Sequence, residues 1–354
     1  MAFHPSAYTE FRYRECLWRD DKYEARFHYE LVGPGVDTMR FTETLQFTPA
    51  TTSRVDHNRL QGILVLLGAV LGLSYYKAAA PPTYVIDTPG LTDNALDYLR
   101  LVITEGMAEF AYRNGFGGPL APDITLSQPA SSAWPVENWR ELDGDPLVPI
   151  GGGKDSIVTV EALYRQRLHP VQFAVNANPV IHRVARASGH PLITAKRTID
   201  PRLIQLNGEG ALNGHVPVTA MNSLIALAQS RILDMGPVVM SNEASASLPT
   251  LVVEDWEINH QWSKSEAAEV ALQAVIGPQA GLQPAHYFSL LRPFSELHIA
   301  GYFATVPRYH QVATSCNRAF RTGVGDVGWC GECDKCRFVF LILAAYLSPS
   351  ALRQ

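Results

Sequence analysis

Between residues 147 and 241, short apolar runs alternate with segments long enough to form helices, and no other feature constrains the fold as much. The runs are residues 147–150 (LVPI), 171–175 (VQFAV), 191–197 (PLITAKR) and 237–241 (PVVMS). Helical patterns are expected from Lys154 to about Arg165, near 180–187 and over 218–233. Strands joined by helices of this length imply right-handed crossovers and a mostly parallel, doubly wound α/β sheet covered on both faces. Ligands then belong at the carboxyl ends of the strands. The chain has 354 residues, which at roughly 100 to 200 residues per domain implies about two domains. With 47% hydrophobic and 18% charged residues, it is too apolar for a disordered chain.

The segment before this alternation reads differently. Residues 26–47 (RFHYELVGPGVDTMRFTETLQF) alternate apolar and polar around a Gly-Pro-Gly turn, the pattern of an antiparallel hairpin with one buried face. Helical patterns at 59–76 and 93–112 flank a strand-like TYVID at 83–87. The composition at 115–146 turns to Gly, Pro, Ser and Asp, as in a connector. The expected organisation is a smaller N-terminal α+β region (1–115), a connector (116–146), the α/β domain (147–305) and a cysteine-bearing C-terminal segment with a final helix (306–354). The apolar run 62–76 (GILVLLGAVLGLSYY) has 15 residues, short of the roughly 18 to 20 that span a bilayer, and reads as a buried helix. The N-terminus lacks the pattern of a signal peptide, so the expected location is cytoplasmic, with no membrane partner. A formal charge of −5 without basic blocks argues against a nucleic-acid partner, because gripping phosphates needs a basic surface.

The first motif lies between the first strand and helix of the α/β domain: Gly151, Gly152, Gly153, Lys154, Asp155, Ser156. Three glycines let backbone N–H groups approach an anion, and the helix N-terminus adds its positive end. Lys154 supplies charge, Ser156 a donor, and Asp155 a carboxylate for the loop or a bound Mg²⁺. This suits ATP; the plain alternative is a glycine turn that starts a helix. The spacing fits neither G-x-x-x-x-G-K-[ST] nor G-x-G-x-x-G. It resembles the PP-loop, Ser-Gly-Gly-x-Asp-Ser, of ATP pyrophosphatases, with Gly151 where that family usually has Ser. The resemblance implies a sheet of the adenine nucleotide alpha hydrolase-like type.

The second motif is Cys316, Cys330, Cys333 and Cys336, with Gly331 in the tight turn and an apolar helix following. Four thiolates fill a tetrahedral shell and leave no place for water or substrate, the arrangement of structural zinc; an iron–sulfur cluster is the alternative. Cys16 stands alone.

Glycine loop and cysteines together also occur in 7-cyano-7-deazaguanine synthases, so more specific words decide. NGHVPVTAMN at 213–222, SNEASAS at 241–247, NHQWSKS at 259–265 and CGECDKCRFVFLIL at 330–343 closely resemble the UDP-N-acetylmuramoyl-L-alanyl-L-glutamate epimerase family, over about 147–347. The resemblance implies an enzyme of peptidoglycan-precursor synthesis. It would consume ATP, release AMP and pyrophosphate, and convert the terminal L-Glu of UDP-MurNAc-L-Ala-L-Glu to D-Glu. A PP-loop ligase or a tRNA-modifying enzyme is the alternative. Inversion needs a base and an acid on opposite faces of the α-carbon. Glu243, His215, His260 and Lys264 lie in the family-like words and carry the needed groups. Asn242, Ser265, Arg318 and Arg321 are candidates for holding substrate, Lys196 and Arg197 for its diphosphate, and Trp256 and Trp262 for uridine. Oligomeric state is not encoded in any of these features.

Overall fold

The computed structural model describes residues 3–50, 56–135, 144–319 and 328–353. In chain order the strands and helices are β1 (Glu10–Arg19), β2 (Glu24–Val32), β3 (Met39–Gln46), α1 (His57–Leu71), α2 (Leu73–Tyr76), β4 (Thr83–Ile86), α3 (Asp93–Thr104), α4 (Ala108–Arg113) and β5 (Asp123–Leu126). There follow β6 (Leu147–Pro149), α5 (Lys154–Arg165), β7 (Val171–Val175), α6 (Pro179–Ser188), β8 (Leu192–Thr198), α7 (Pro201–Asn207), α8 (Val218–Ile232) and β9 (Val238–Met240). The chain ends with β10 (Leu251–Val253), β11 (Trp256–Ile258), α9 (Glu266–Ala280), β12 (Tyr287–Ser289), α10 (Glu296–Ala304) and α11 (Asp334–Leu343). Two compact units interleave along the sequence: residues 1–140, 195–234 and 247–286 form one, and 141–194, 235–246 and 287–354 the other. The first is therefore no small appendage, because it takes up two later stretches of chain.

In the first unit the strand order is β8-β3-β2-β1-β4-β5. Pairs β1–β2, β2–β3 and β3–β8 are antiparallel, whereas β1–β4 and β4–β5 are parallel. The expected hairpin is present as β2 and β3, with Ala25, Phe27, Tyr29 and Leu31 of β2 all buried at period two. β1 escapes sequence reading because a bulge between Tyr13 and Glu15 breaks its alternation. β5 falls inside the stretch whose composition suggests a connector. The apolar helix α1 starts where the Asp56 carboxylate accepts the N–H groups of Asn58 and Arg59. It is long and apolar enough, with α2, to cross a membrane, yet 89% of its most apolar window is buried in protein. Gln279 of α9 ties it in, donating to the carbonyls of Gly62 (2.9 Å) and Gly90 (2.8 Å). Arg197, at the end of β8, pairs its guanidinium at 2.6 Å with Glu43, a fully buried carboxylate on β3.

The second unit has the order β12-β9-β6-β7-β8, and β12–β9, β9–β6 and β6–β7 are parallel. The chain starts at β6, winds outward through β7 to β8, then returns to the other side of β6 through β9 and β12. This is a doubly wound order, with its reversal between β6 and β9, the place where such sheets bind ligands. Helix α5 is clasped on two sides. Its Val160 and Leu163 pack with Val148, Ala174 and Val239 of the strands, and its Ile157 and Val158 with Ile299 and Phe303 of α10 and Val339 of α11.

Candidate functional site

The glycine loop leaves β6 at the reversal point and runs into α5. Gly152 has φ +86°, and a Cβ there would lie 2.7 Å from Val180 Cγ1; a Cβ on Gly153 would lie 2.6 Å from Ser315 Oγ. Glycine is required at Gly152 by its positive φ, whereas a side chain at Gly153 would need the Ser315 hydroxyl to move. The Thr314 N–H donates to the Gly152 carbonyl (3.1 Å), which holds the loop in place. Gly153 caps α5 without any side-chain acceptor, so the first-turn N–H groups have no side-chain cap. The Ser156 hydroxyl donates to the Gly153 carbonyl at 3.3 Å.

Lys154 is only 5% exposed, and its ammonium is bound by the carboxylates of Asp155 and Glu296. Burial by itself would lower its pKa, but these two carboxylates carry it above the ordinary value. Glu296, the first residue of α10, has its carboxyl raised by burial; Lys154 opposes this, and Asp155 and Glu243 add to it. Glu243, just after β9, is thus within electrostatic reach of the loop cluster and is 9% exposed. Ser245 Oγ donates to its Oε1 at 3.4 Å, and Arg292 Nη1 donates to its backbone carbonyl at 2.9 Å. Asn242 beside it is buried and donates to Ser289 Oγ at 3.1 Å. The sequence reading missed Glu296. Ser295 and Glu296 look like an ordinary helix N-cap and first-turn acid, and Ser295 Oγ does accept the His298 N–H.

In the first unit the family-like words converge as well. The rings of His215 and His260 stand edge to face with centroids 6.4 Å apart. His215 has its pKa lowered, by burial first and then by His260 and Lys264, with Glu109 opposing. His260 Nδ1 lies 3.2 Å from Thr250 Oγ1, and Lys264 Nζ donates to Gln261 Oε1 at 3.2 Å. Ser265 Oγ caps α9 by accepting the Ala268 N–H. Trp262 is buried, and Trp256 packs edge-on against Tyr112 at 6.3 Å.

The sulfurs of Cys316, Cys330, Cys333 and Cys336 all lie within 4.8 Å of one another, with separations of 3.9 Å (316–333), 3.7 Å (330–336) and 3.5 Å (333–336). These are too long for disulfides. A tetrahedral ion with metal–sulfur bonds of about 2.3 Å places its sulfurs about 3.8 Å apart, so the four fit one zinc ion. A multi-iron cluster would spread them outward. Backbone N–H groups, from Glu332 to Cys330 and from Cys336 to Cys333, hold those two thiols below their ordinary pKa. Arg318 pairs at 2.7 Å with Glu332 beside this site and is half exposed; Arg321 lies outside the described residues. One zinc per chain is expected by metal analysis. Any single Cys→Ser change should lower the melting temperature, because metal-binding free energy here is folding free energy; full stability after chelation, or iron–sulfur absorbance, would contradict this.

Comparison with known proteins adds an independent line. Residues 2–290 match the family model described as the MurL N-terminal domain, and residues 312–354 the MurL C-terminal domain. A protein of Micromonospora sp. named UDP-N-acetyl-alpha-D-muramoyl-L-alanyl-L-glutamate epimerase is 49% identical over 326 residues, covering 92% of this chain and 72% of that protein. A protein of the same name from Salinispora tropica is 47% identical over 92% of this chain and 70% of its own length. A third, from Xanthomonas oryzae pv. oryzae, is 38% identical over 83% and 64%. Their alignment over most of this chain, together with the two domain matches, means that the chain belongs to the UDP-N-acetyl-alpha-D-muramoyl-L-alanyl-L-glutamate epimerase family.

Proposed function

We propose that this protein epimerises the terminal L-Glu of UDP-MurNAc-L-Ala-L-Glu to D-Glu in the cytoplasm, as a step of peptidoglycan-precursor synthesis. ATP is consumed through an acyl-adenylate, and AMP and pyrophosphate are released. The carrying observation is Lys154, a buried ammonium at the N-terminus of α5, behind a glycine loop in which Gly152 holds a φ of +86°, at the reversal point of a doubly wound sheet. On this reading the loop is a PP-loop: the backbone of Gly151, Gly152 and Gly153 and the side chains of Lys154 and Ser156 hold the phosphates. Asp155 would hold the Mg²⁺ that accompanies ATP and offsets its charge. The segments 1–115, 116–146, 147–305 and 306–354 are then functional divisions laid over the two interleaved units, and the four cysteines hold structural zinc.

Activation is what makes the inversion feasible. Removing an α-proton beside a free carboxylate would place a second negative charge on the same group, whereas the mixed anhydride with AMP carries no carboxylate charge and can delocalise the carbanion. A pyridoxal route is closed, because the glutamate nitrogen lies in a peptide bond and cannot form a Schiff base. Glu243, His215, His260 and Lys264 are the groups assigned to the proton transfers; Asn242, Ser265, Arg318 and Arg321 are assigned to substrate. The test is incubation with ATP, Mg²⁺ and the dipeptide substrate in D₂O. AMP, D-configured glutamate and deuterium at its α-carbon are expected together, and absence of all three from folded protein would sink the assignment.

A further inference from the structure

Lys77 follows the apolar run of α1 and α2, and it is 7% exposed. Its ammonium donates to Asn213 Oδ1, a neutral amide oxygen, and among the described residues it has no carboxylate partner. Lysine is almost never buried unless paired. Holding an ammonium in so buried a place has a cost that an apolar side chain of similar length would avoid. Burial accordingly pulls its pKa down. What the side chain does hold is the NGH word. Asn213 Oδ1 also accepts the Gly214 N–H (2.9 Å), and the Asn213 carbonyl accepts from Asn114 Nδ2 (3.1 Å). Gly214 lies against Phe110, whose ring carbon would be 3.1 Å from any Cβ there. The next residue is His215, which feels Glu109 of α4 and faces His260.

We propose that Lys77 is a positioning residue for proton transfer: through Asn213 it fixes residues 213–215 and so aims the His215 imidazole toward His260. This gives the N-terminal segment a share in the chemistry, a role resting on the function proposed above.

The test compares Lys77→Met, Asn213→Ala and the double variant. In the D₂O assay each single variant should lose about 10²-fold in α-deuterium incorporation, the order expected for a misplaced reacting group, while AMP release stays near wild type. The double variant should be no worse than either single one, since both break one contact. A second readout needs no substrate: carbethoxylation of histidines by diethyl pyrocarbonate, mapped by mass spectrometry. The His215 rate should change several-fold in Lys77→Met while that of exposed His57 does not. Exchange at the wild-type rate, additive losses, or AMP and D-Glu falling in equal proportion would overturn the proposal. If wild type makes no D-Glu, the proposed function fails, and unchanged His215 reactivity would separately overturn the role of Lys77. Should Lys77→Met not fold, Asn213→Ala carries the same readouts.

Discussion

Replacing Lys154 by methionine together with Glu296 by glutamine is expected to lower ATP-dependent pyrophosphate release by about 10² to 10³-fold with little loss of stability. The magnitude follows from removing a fixed donor aimed at charge that develops on the leaving group, a contribution of about 3 to 4 kcal/mol in comparable sites. The double change matters because of where Lys154 sits. It is buried between Asp155 and Glu296, so Lys154→Ala alone strands the partly buried Glu296 carboxylate. Breaking one side of such a pair costs about 3 to 5 kcal/mol, whereas replacing both partners with neutral groups of similar shape is often nearly neutral. Glu296→Gln alone separates the two roles. If Glu296 only holds Lys154 in place, this variant keeps pyrophosphate release within an order of magnitude of wild type. Pyrophosphate release at the wild-type rate from the double variant would mean that ATP binds elsewhere.

The parts of this site that can be read from sequence are those whose residues are contiguous. The glycine loop declares itself because one strand, six loop residues and one helix start are consecutive, and the four cysteines because three of them sit in one knuckle around Gly331. Most of the strands and helices from β6 to β9 follow from period and length. Strand order is different in kind. It depends on pairings between strands far apart in the chain, such as Leu147 of β6 with Val238 of β9, and nothing local distinguishes β9 joining β6 from β9 joining β8. For the same reason the partners Glu296 and Lys77 stay hidden: Lys154 meets Glu296 across 142 positions and Lys77 meets Asn213 across 136. Each looks unremarkable alone, Glu296 as a first-turn acid and Lys77 as the end of an apolar helix. The pairing of His215 with His260 was open to guess only because both lie in family-like words. The stretch 59–112 carries no motif of its own for a related reason, since Lys77 and Glu109 acquire meaning only from what the loop before α8 brings to them.

Glu243→Gln is expected to keep AMP formation and lose α-proton exchange by about 10² to 10⁴-fold, the range for removing a general base. The substitution suits the site. Glu243 is nearly buried, its backbone carbonyl is already fixed by Arg292, and Ser245 can donate to an amide oxygen as it does to Oε1. Shape and hydrogen bonds therefore persist while the proton acceptor is gone. Its neighbour Glu296 feels Glu243 as a like charge, so neutralising Glu243 relieves the loop cluster and gives no reason for ATP to bind less well. The acyl-adenylate should then form and be discharged slowly by water with L-configuration retained, giving AMP without D-Glu and without α-deuterium. Such uncoupling marks a group whose interaction is made in the transition state for C–H cleavage, after ATP has been spent. If instead Glu243→Gln exchanges the α-proton at the wild-type rate, Glu243 only positions, and proton transfer falls to His215 and His260. Burial lowers the pKa of His215, which leaves its imidazole neutral and able to accept a proton near neutral pH. In that case His215→Gln, and not Glu243→Gln, should be the variant that makes AMP without exchange.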